Sequence, residues 1–511
     1  MLGENWGEAM TRTCGPRRAA LMIGVAAVVG YAAPVMAQTN PGDGVEVEEV
    51  IVTSQKREER LQDVPVSVTV VGAEQLKTLN IESGTEIARL TPNLRVSNLG
   101  NEDQPKFSLR GISTPDFDLN TSSPTGIFYD EVYVASQFLG GPQIFDLERV
   151  EVLRGPQGTL YGKNTTGGAI NFITRRPGFE PGGELRIQAG ENSFFHADGA
   201  FNLPLVDDVL AARLAFSASK SDGYVKNYNP GGRDLSSIDN HAVRGSLRWR
   251  PSDTFDATLR LFTSRATPTN IGVQNVGLLA GGTNAFGVNP RTNPLTGQPF
   301  DDREIYSDRT DGEIRVRGDG GTLTINKELG AFTLTSITSV LDGFFLNRVD
   351  GDGSIAPLLA IDFYADTVEQ SQDLRLASNF DGRFNFIAGL YYGHDEVGIR
   401  TDWDFFDGAV IRNQTYEQLR TSYAAYVDGT LDVTDRLSVY AGARWTKDQG
   451  EQRNYQVLGS GAADIPLQPK REYDDSAPTG RVGVQYKFAP DVMGYAQYSR
   501  GYRSSAINGA E

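Results

Sequence analysis

The chain has 511 residues, a net charge of −17, 57 glycines, 25 Phe and 20 Tyr, but a single cysteine. With no basic excess to neutralise phosphates, it is not built for a nucleic-acid partner. Many glycines and aromatics with few helix-favouring runs lean towards β-structure rich in turns, and the length suits two or three ordinary domains or one plugged barrel.

Residues 1–37 read as an export signal. Arg12, Arg17 and Arg18 precede an apolar run over 19–33, and Val35-Met36-Ala37 offers small residues for cleavage after Ala37. Glu4 and Glu8 are out of place in a positively charged leader, which makes Met10 an alternative start. The Arg17-Arg18 pair alone is too little for a twin-arginine signal, so ordinary secretion is expected. Cys14 lies before the apolar run, so the exported chain is expected to carry neither a disulfide nor a lipid-modified cysteine. No later run approaches the roughly 18 apolar residues of a membrane helix.

Residues 38–55 start as a polar stretch and continue into Val45-Glu46-Val47-Glu48-Glu49-Val50-Ile51-Val52-Thr53, which is short and β-prone. No packing partner is near in sequence, so this segment is expected to be a tethered strand free to pair with another sheet.

Residues 56–178 predict a small α+β globule. Val66 to Val70 alternates as a strand, Ala73 to Leu79 and Thr85 to Leu90 have helical spacing, and Pro92 stops the second helix. Gly126 to Val134 is expected to form a hairpin with Asp130-Glu131 at its turn.

From about Gly182 the pattern changes, and residues 179–511 form the third region. In Leu437 to Thr446, Leu437, Val439, Ala441, Ala443 and Trp445 share one face, with Ser438, Tyr440, Gly442, Arg444 and Thr446 on the other. Apolar-out, polar-in alternation over about ten residues is what a transmembrane strand needs. Similar dyads run through 184–190, 210–219, 242–249, 254–263, 332–340, 385–393, 421–430, 479–487 and 492–499. Short turns such as Pro251-Ser252-Asp253 and Ala489-Pro490-Asp491 alternate with long polar stretches over 266–313, 346–366, 396–418 and 449–474. Short turns on one side and long loops on the other predict an antiparallel outer-membrane β-barrel, with about thirteen strands present, and argue against a soluble β-sandwich. A barrel must close on an even strand number, so the chain is expected to be an N-terminal fragment of a larger one.

Glu151 to Pro177 reads EVLRGPQGTLYGKNTTGGAINFITRRP and invites comparison with a nucleotide-phosphate loop. That loop needs four residues between its glycines, then Lys and Ser or Thr, then a helix. Here three residues separate Gly158 from Gly162-Lys163, Asn164 follows, and residues 167–174 alternate like a strand. The nucleotide reading fails.

The run Leu147-Glu148-Arg149-Val150-Glu151-Val152-Leu153-Arg154-Gly155-Pro156, with Tyr161-Gly162 and Gly167 to Thr174, resembles instead the end of the plug domain of TonB-dependent outer-membrane receptors. Arg110 and Gly111 match that plug's Arg-Gly motif. Glu48, Glu49, Val50, Ile51, Val52, Thr53 and Ser54 resemble the TonB box, and Tyr498 to Ser504 a barrel strand motif, although Ser505-Ala506-Ile507 departs from the usual Gly-Gly-Phe. The resemblance implies an N-terminal plug inside a barrel of 22 strands. It implies high-affinity uptake of a scarce bulky solute, most often a ferric siderophore, with TonB and its inner-membrane complex as the energising partner and outer-membrane lipid around the wall. Carbohydrate or cobalamin import is the alternative; a passive porin would lack both the globule and the strand at 48–54.

The resemblance also makes Arg110, Gly111, Arg149, Glu151, Arg154, Gly155, Gly167 and Gly168 structural plug residues, their charges expected to pair with acids on the barrel wall. Ligand contacts are expected in the plug loops, at Asn98, Gln104 and Phe117, and in the long barrel loops. His196, His241 and His394 lack metal spacing, so neither metal nor cofactor is expected, and no cluster suggests hydrolytic or redox chemistry. No enzyme is expected.

Overall fold

The computed structural model describes residues 50–81, 83–98, 105–114, 119–139, 144–274, 279–284, 287, 289–461, 463–490 and 492–507. The export signal, Glu48, Glu49, Gln104 and Phe117 lie outside them.

The N-terminal half of the described chain begins with two short strands, β1 (Ile51–Val52) and β2 (Glu59–Arg60), paired antiparallel. A five-stranded sheet follows, built from β3 (Val68–Gly72), β6 (Thr125–Tyr129), β7 (Val132–Val134), β8 (Leu147–Arg154) and β9 (Gly168–Thr174), in the order β3-β8-β9-β6-β7. A separate pair, β4 (Leu94–Asn98) and β5 (Pro105–Leu109), lies beside it. The expected hairpin is present, with Asp130 and Glu131 at its turn, both at positive φ. The expected first helix is α1 (Ala73–Thr78), whereas the second is a single 3₁₀ turn over Glu86–Arg89. Four residues between Thr85 and Leu90 are too few for a stable α-helix, and Pro92 forbids an extension. Val71, Ile87, Phe107, Leu109, Val150, Val152, Ile170 and Phe172 form the core of this globule, which removes enough apolar surface to fold the short strands.

One antiparallel sheet of thirteen strands curves around the globule. Its members are β10 (Gly182–Ala189), β11 (Phe195–Val206), β12 (Leu210–Ser221), β14 (Ile238–Ser252), β15 (Phe255–Ala266), β17 (Ile314–Glu328), β18 (Phe332–Asp350), β19 (Leu359–Ser378), β20 (Phe384–Phe405), β21 (Val410–Asp432), β22 (Leu437–Ser460), β23 (Arg471–Ala489) and β24 (Val492–Arg500). Two short strands in the connections, β13 (Lys226–Asn227) and β16 (Glu304–Ile305), pair in parallel. Leu185, Ile187, Leu214, Leu390, Val427 and Trp445 are exposed on the outer face, while Arg244, Arg260, Arg375, Arg420, Arg444 and Arg481 are buried on the inner one. That is the partition a lipid-embedded wall requires. At the short-turn end Trp249 meets Phe255 edge-on, with centroids 5.3 Å apart, and Tyr486 meets Phe488 at 4.9 Å, an aromatic girdle at one membrane boundary.

Three of the expected long loops are mostly strand. β18 and β19 continue to Asp350 and from Leu359, β20 and β21 are joined by four residues, and β22 runs to Ser460. The reason lies in the inner face. Phe345, Val397, Ile399, Tyr416, Tyr455 and Val457 are buried there, so the far ends of these strands keep an apolar surface to pack.

Candidate functional site

The segment expected to be free is strapped to the globule from Val50 onwards. Ile51 pairs with Arg60 and Val52 with Glu59, the Leu61 amide donates to the Val50 carbonyl at 2.9 Å, and the Val52 side chain packs with Val64 and Val66. The sequence reading missed this because the partner strand is only two residues long and carries no apolar alternation. Val50 and Ile51 keep exposed side chains.

Beyond Val52 the strap is held by a buried carboxylate. Glu151 lies on β8 and is fully buried; its Oε1 accepts the Thr53 amide at 2.8 Å, the Thr53 hydroxyl at 3.2 Å and Arg149 Nε at 2.8 Å. Arg149 also donates through Nη2 to Thr53 Oγ1 at 3.3 Å and pairs with Glu148. Burial pushes the Glu151 carboxyl up, against the opposing pull of Arg149 and Thr53. Ser54 is buried next in line.

The turn after Ser54 reaches the wall. Lys56 Nζ lies 3.0 Å from Glu131 Oε2 and 4.5 Å from the Tyr161 ring centroid. Glu131 in turn takes a bidentate pair from Arg375 of β19, at 2.6 and 3.0 Å. Burial raises the Glu131 carboxyl, but Arg375 and Lys56 outweigh it and hold it well below the usual carboxylate range. Gln55 accepts from Arg481 of β23 at 2.7 Å, and Arg57 donates to the Phe386 carbonyl at 2.5 Å.

The expected pairing of the motif charges with wall acids is not what forms. Among the described residues none of Arg110, Arg149, Glu151 or Arg154 makes an ion pair with the wall. Arg149 and Glu151 serve the strap, Arg154 donates to Thr69 Oγ1 at 2.9 Å, and Arg110 sits beside Gly155. At the turns that hold Asp130, Glu131 and Asp146, the wall supplies the cations and the globule the acids. Arg260 meets Asp130 at 3.3 Å, while Arg213 and Arg244 share Asp146 at 2.5 and 3.5 Å. The physical reason is reach. A lumen-facing arginine on a wall strand carries a long side chain into a tight turn, and aspartates are favoured in such turns.

The glycine-rich stretch is the other contact surface. The Gly155 amide donates to the Gly167 carbonyl at 3.0 Å, closing its loop, and Gly111 turns the chain after β5. Gly168 has φ +149, and a Cβ there would lie 2.2 Å from the Leu153 carbonyl oxygen. Gly162, at φ +86, lies against the buried Arg444 guanidinium, itself between the rings of Tyr391 and Tyr426. Lys163 reaches Asp448 of β22 at 3.4 Å. The Asn164 amide donates to the Tyr502 carbonyl, and Arg503 to the Ser122 carbonyl, both at 2.9 Å. The motif over 498–504 thus lies against the globule.

Above the globule the inner wall is aromatic and aliphatic. Phe345 stacks on Phe138 with centroids 5.5 Å apart, and Tyr416 and Tyr455 face each other at 6.2 Å. Phe345, Tyr416 and Tyr455 are buried on this inner face, and Asn98 ends β4. The three histidines all sit in wall strands, with His196 hydrogen-bonded to Ser219 and Asp198.

Comparison with known proteins matches this architecture. The family model of the TonB-dependent receptor plug domain matches residues 60–169, and that of the TonB-dependent receptor-like β-barrel matches 262–510. The pesticin receptor of Yersinia pestis is 26% identical over 472 residues, covering 90% of this chain and 64% of the relative. The ferrichrome outer membrane transporter/phage receptor of Escherichia coli K12 is 30% identical over 213 residues, 40% of this chain and 26% of the relative. Among solved structures, the ferric yersiniabactin uptake receptor of Yersinia pestis superposes with a TM-score of 0.75 at 23% identity, covering 88% of this chain and 66% of that one. The chain therefore spans just under two thirds of the length of its full-span curated relatives.

Proposed function

The chain belongs to the TonB-dependent receptors of the bacterial outer membrane, and on that premise we propose that it serves high-affinity uptake of a ferric siderophore, energised by TonB through residues 48–54. The observation that carries the reading is the strap. The outer membrane holds no ATP, so work has to arrive mechanically, and a strand with exposed Val50 and Ile51 can add edge-on to a sheet of a periplasmic partner. The strap is tied to β8 and, through Lys56 and Glu131, to the wall, so a pull on it loads the plug. The siderophore as cargo is supported by the named relatives and by the aromatic wall above the plug, which suits a bulky, partly apolar chelate. The reading assigns no chemical step and no bound cofactor.

The test is uptake of radiolabelled ferric chelates by iron-starved cells carrying the receptor or its Ile51→Pro variant. Proline removes a main-chain donor that strand addition uses. Surface binding should persist in the variant while energised uptake stops. Equal uptake by both refutes the TonB assignment; uptake of cobalamin or a glycan with no binding of iron chelates refutes the cargo.

A further inference from the structure

On the inner face of β21 and β22, just below Tyr416 and Tyr455, the wall stops being apolar. Gln418 and Gln452 stand directly opposite each other in the antiparallel register, as do Ser422 and Asp448 further along the same face towards the plug. Gln418 is 0% exposed, and Gln452 and Ser422 are each 1% exposed. Both carboxamides, donor and acceptor alike, and the Ser422 hydroxyl have no hydrogen-bond partner within the protein. Their neighbours do. Arg420, between Gln418 and Ser422 on the same face, pairs with Asp395 at 2.5 Å and donates to the Asn120 carbonyl of the plug at 2.9 Å, and Asp448 pairs with Lys163.

Leaving a buried polar group unsatisfied costs about 1–3 kcal/mol, so a cluster of such groups in a folded protein calls for a role or an occupant. Two facing amides add up to a donor–acceptor pair from each side, complementary to a group that offers both together: a hydroxyl, an amide or a hydroxamate. They lie between Tyr416 and Tyr455 above and the plug contacts of Arg420 and Asp448 below, so a solute that passed the plug along β21 and β22 would meet them. We infer that Gln418, Gln452 and Ser422 form a polar transfer station, a binding site that takes the hydrogen-bonding periphery of the solute once it has passed Tyr416 and Tyr455. The inference rests on the uptake function proposed above.

Two measurements separate it from that reading. Cys14 is the single cysteine of the 511 residues, so Ser422→Cys in a Cys14→Ser background is the one thiol among them. Ile387→Cys, at a site 3% exposed within an apolar cluster, is the control. Both sites are closed in the resting structure, so labelling reports opening to the lumen: a small charged methanethiosulfonate should label Ser422→Cys about a hundredfold faster than the control, since reactivity follows thiolate access; equal, slow labelling overturns the station whatever the cargo. The second arm is the double variant Gln418→Leu, Gln452→Leu in whole cells. Replacing unpartnered amides by apolar groups should not lower thermal stability. Surface affinity for a ferric chelate should stay within about twofold while uptake slows about tenfold, the effect of one hydrogen bond lost on the path. Uptake at the native rate, or affinity and uptake falling together, overturns the inference. Absence of chelate uptake by the native receptor refutes the siderophore reading instead, and the labelling arm still decides the station.

Discussion

Glu151→Gln isolates the lock on the strap. The substitution keeps volume and leaves one oxygen as acceptor, but removes the charge that three donors share at 2.8, 3.2 and 2.8 Å. A hydrogen bond to a charged group contributes about 1.5–3 kcal/mol, and the Thr53 amide is the donor that ties the strap itself. If the loss falls on the opening of the strap alone, the open population rises about ten- to a hundredfold, at 1.4 kcal/mol per factor of ten. Amide hydrogen exchange reads this directly, because the Thr53 amide exchanges when its bond to Glu151 breaks. Exchange at Thr53 should accelerate by that factor while Ile170, in the centre of the plug sheet, keeps its native rate. Unchanged protection at Thr53 would show that the packing of Val52 with Val64 and Val66 holds the strap and that Glu151 does not. Equal acceleration at Thr53 and Ile170 would show general damage to β8, refuting the idea of a local lock.

Other consequences follow from single residues. Glu131→Gln leaves Lys56 and Arg375 buried without their shared counter-charge, and breaking such a pair costs about 3–5 kcal/mol, so the urea midpoint of plug unfolding should fall sharply. Gly168→Ala drives a Cβ into the Leu153 carbonyl and should abolish a folded plug, read as loss of protease resistance. Gly162→Ala meets the end of a movable guanidinium at 2.7 Å and should be milder, although its positive φ still costs about 1 kcal/mol or more. In the external loop, burial, with Asp350 and Asp352 adding to it, pushes the Asp308 carboxyl up to about 7, against roughly 3.9 when unfolded. The folded loop binds that proton more tightly, so its stabilisation is complete below about 4 and is lost as pH rises through about 7. Proteolytic nicking near Arg309, normalised to an unstructured peptide, should be faster at high than at low pH, and Asp308→Asn should flatten the profile.

The membrane-embedded part of the wall was legible because lipid imposes a strict code. Leu437 to Thr446 reads apolar-out and polar-in, and those residues start β22. Beyond the bilayer the same strands invert the code. Val397, Ile399, Tyr416 and Val457 point inwards, while Glu396, Glu417 and Arg453 form ion pairs near the surface. Water replaces lipid outside and packing replaces solvation inside, so a search for apolar-out alternation takes these extensions for loops. The strap was missed for a related reason: two paired residues on each side have no period. Its lock was half visible, since Arg149 and Glu151 stood out by motif, but nothing in the sequence said that their partner was Thr53, 98 residues away from Glu151. The wall arginines were hidden because alternation shows that a polar residue faces the lumen but not which turn it meets.

The sheet order gives these contacts a direction. In β3-β8-β9-β6-β7, the strap is tied through Thr53 and Glu151 to β8, near one side, and through Lys56 and Glu131 to the turn between β6 and β7, at the other. A load entering at Val50 meets the Thr53 tie to β8 three residues along, then Gln55, held by Arg481 of β23, and then Lys56. The first tie joins two parts of the plug, so its rupture frees the strap without moving the plug in the wall. The Lys56 tie joins the strap to a carboxylate that the wall already holds through Arg375, so loading it competes for Glu131 and weakens one of the pairs that seat the plug. Asp146, held by Arg213 and Arg244, has no tie to the strap among the described residues. The β6–β7 turn should therefore leave the wall before the turn at Asp146 does, and an opening would begin beside β19 rather than beneath β12 and β14.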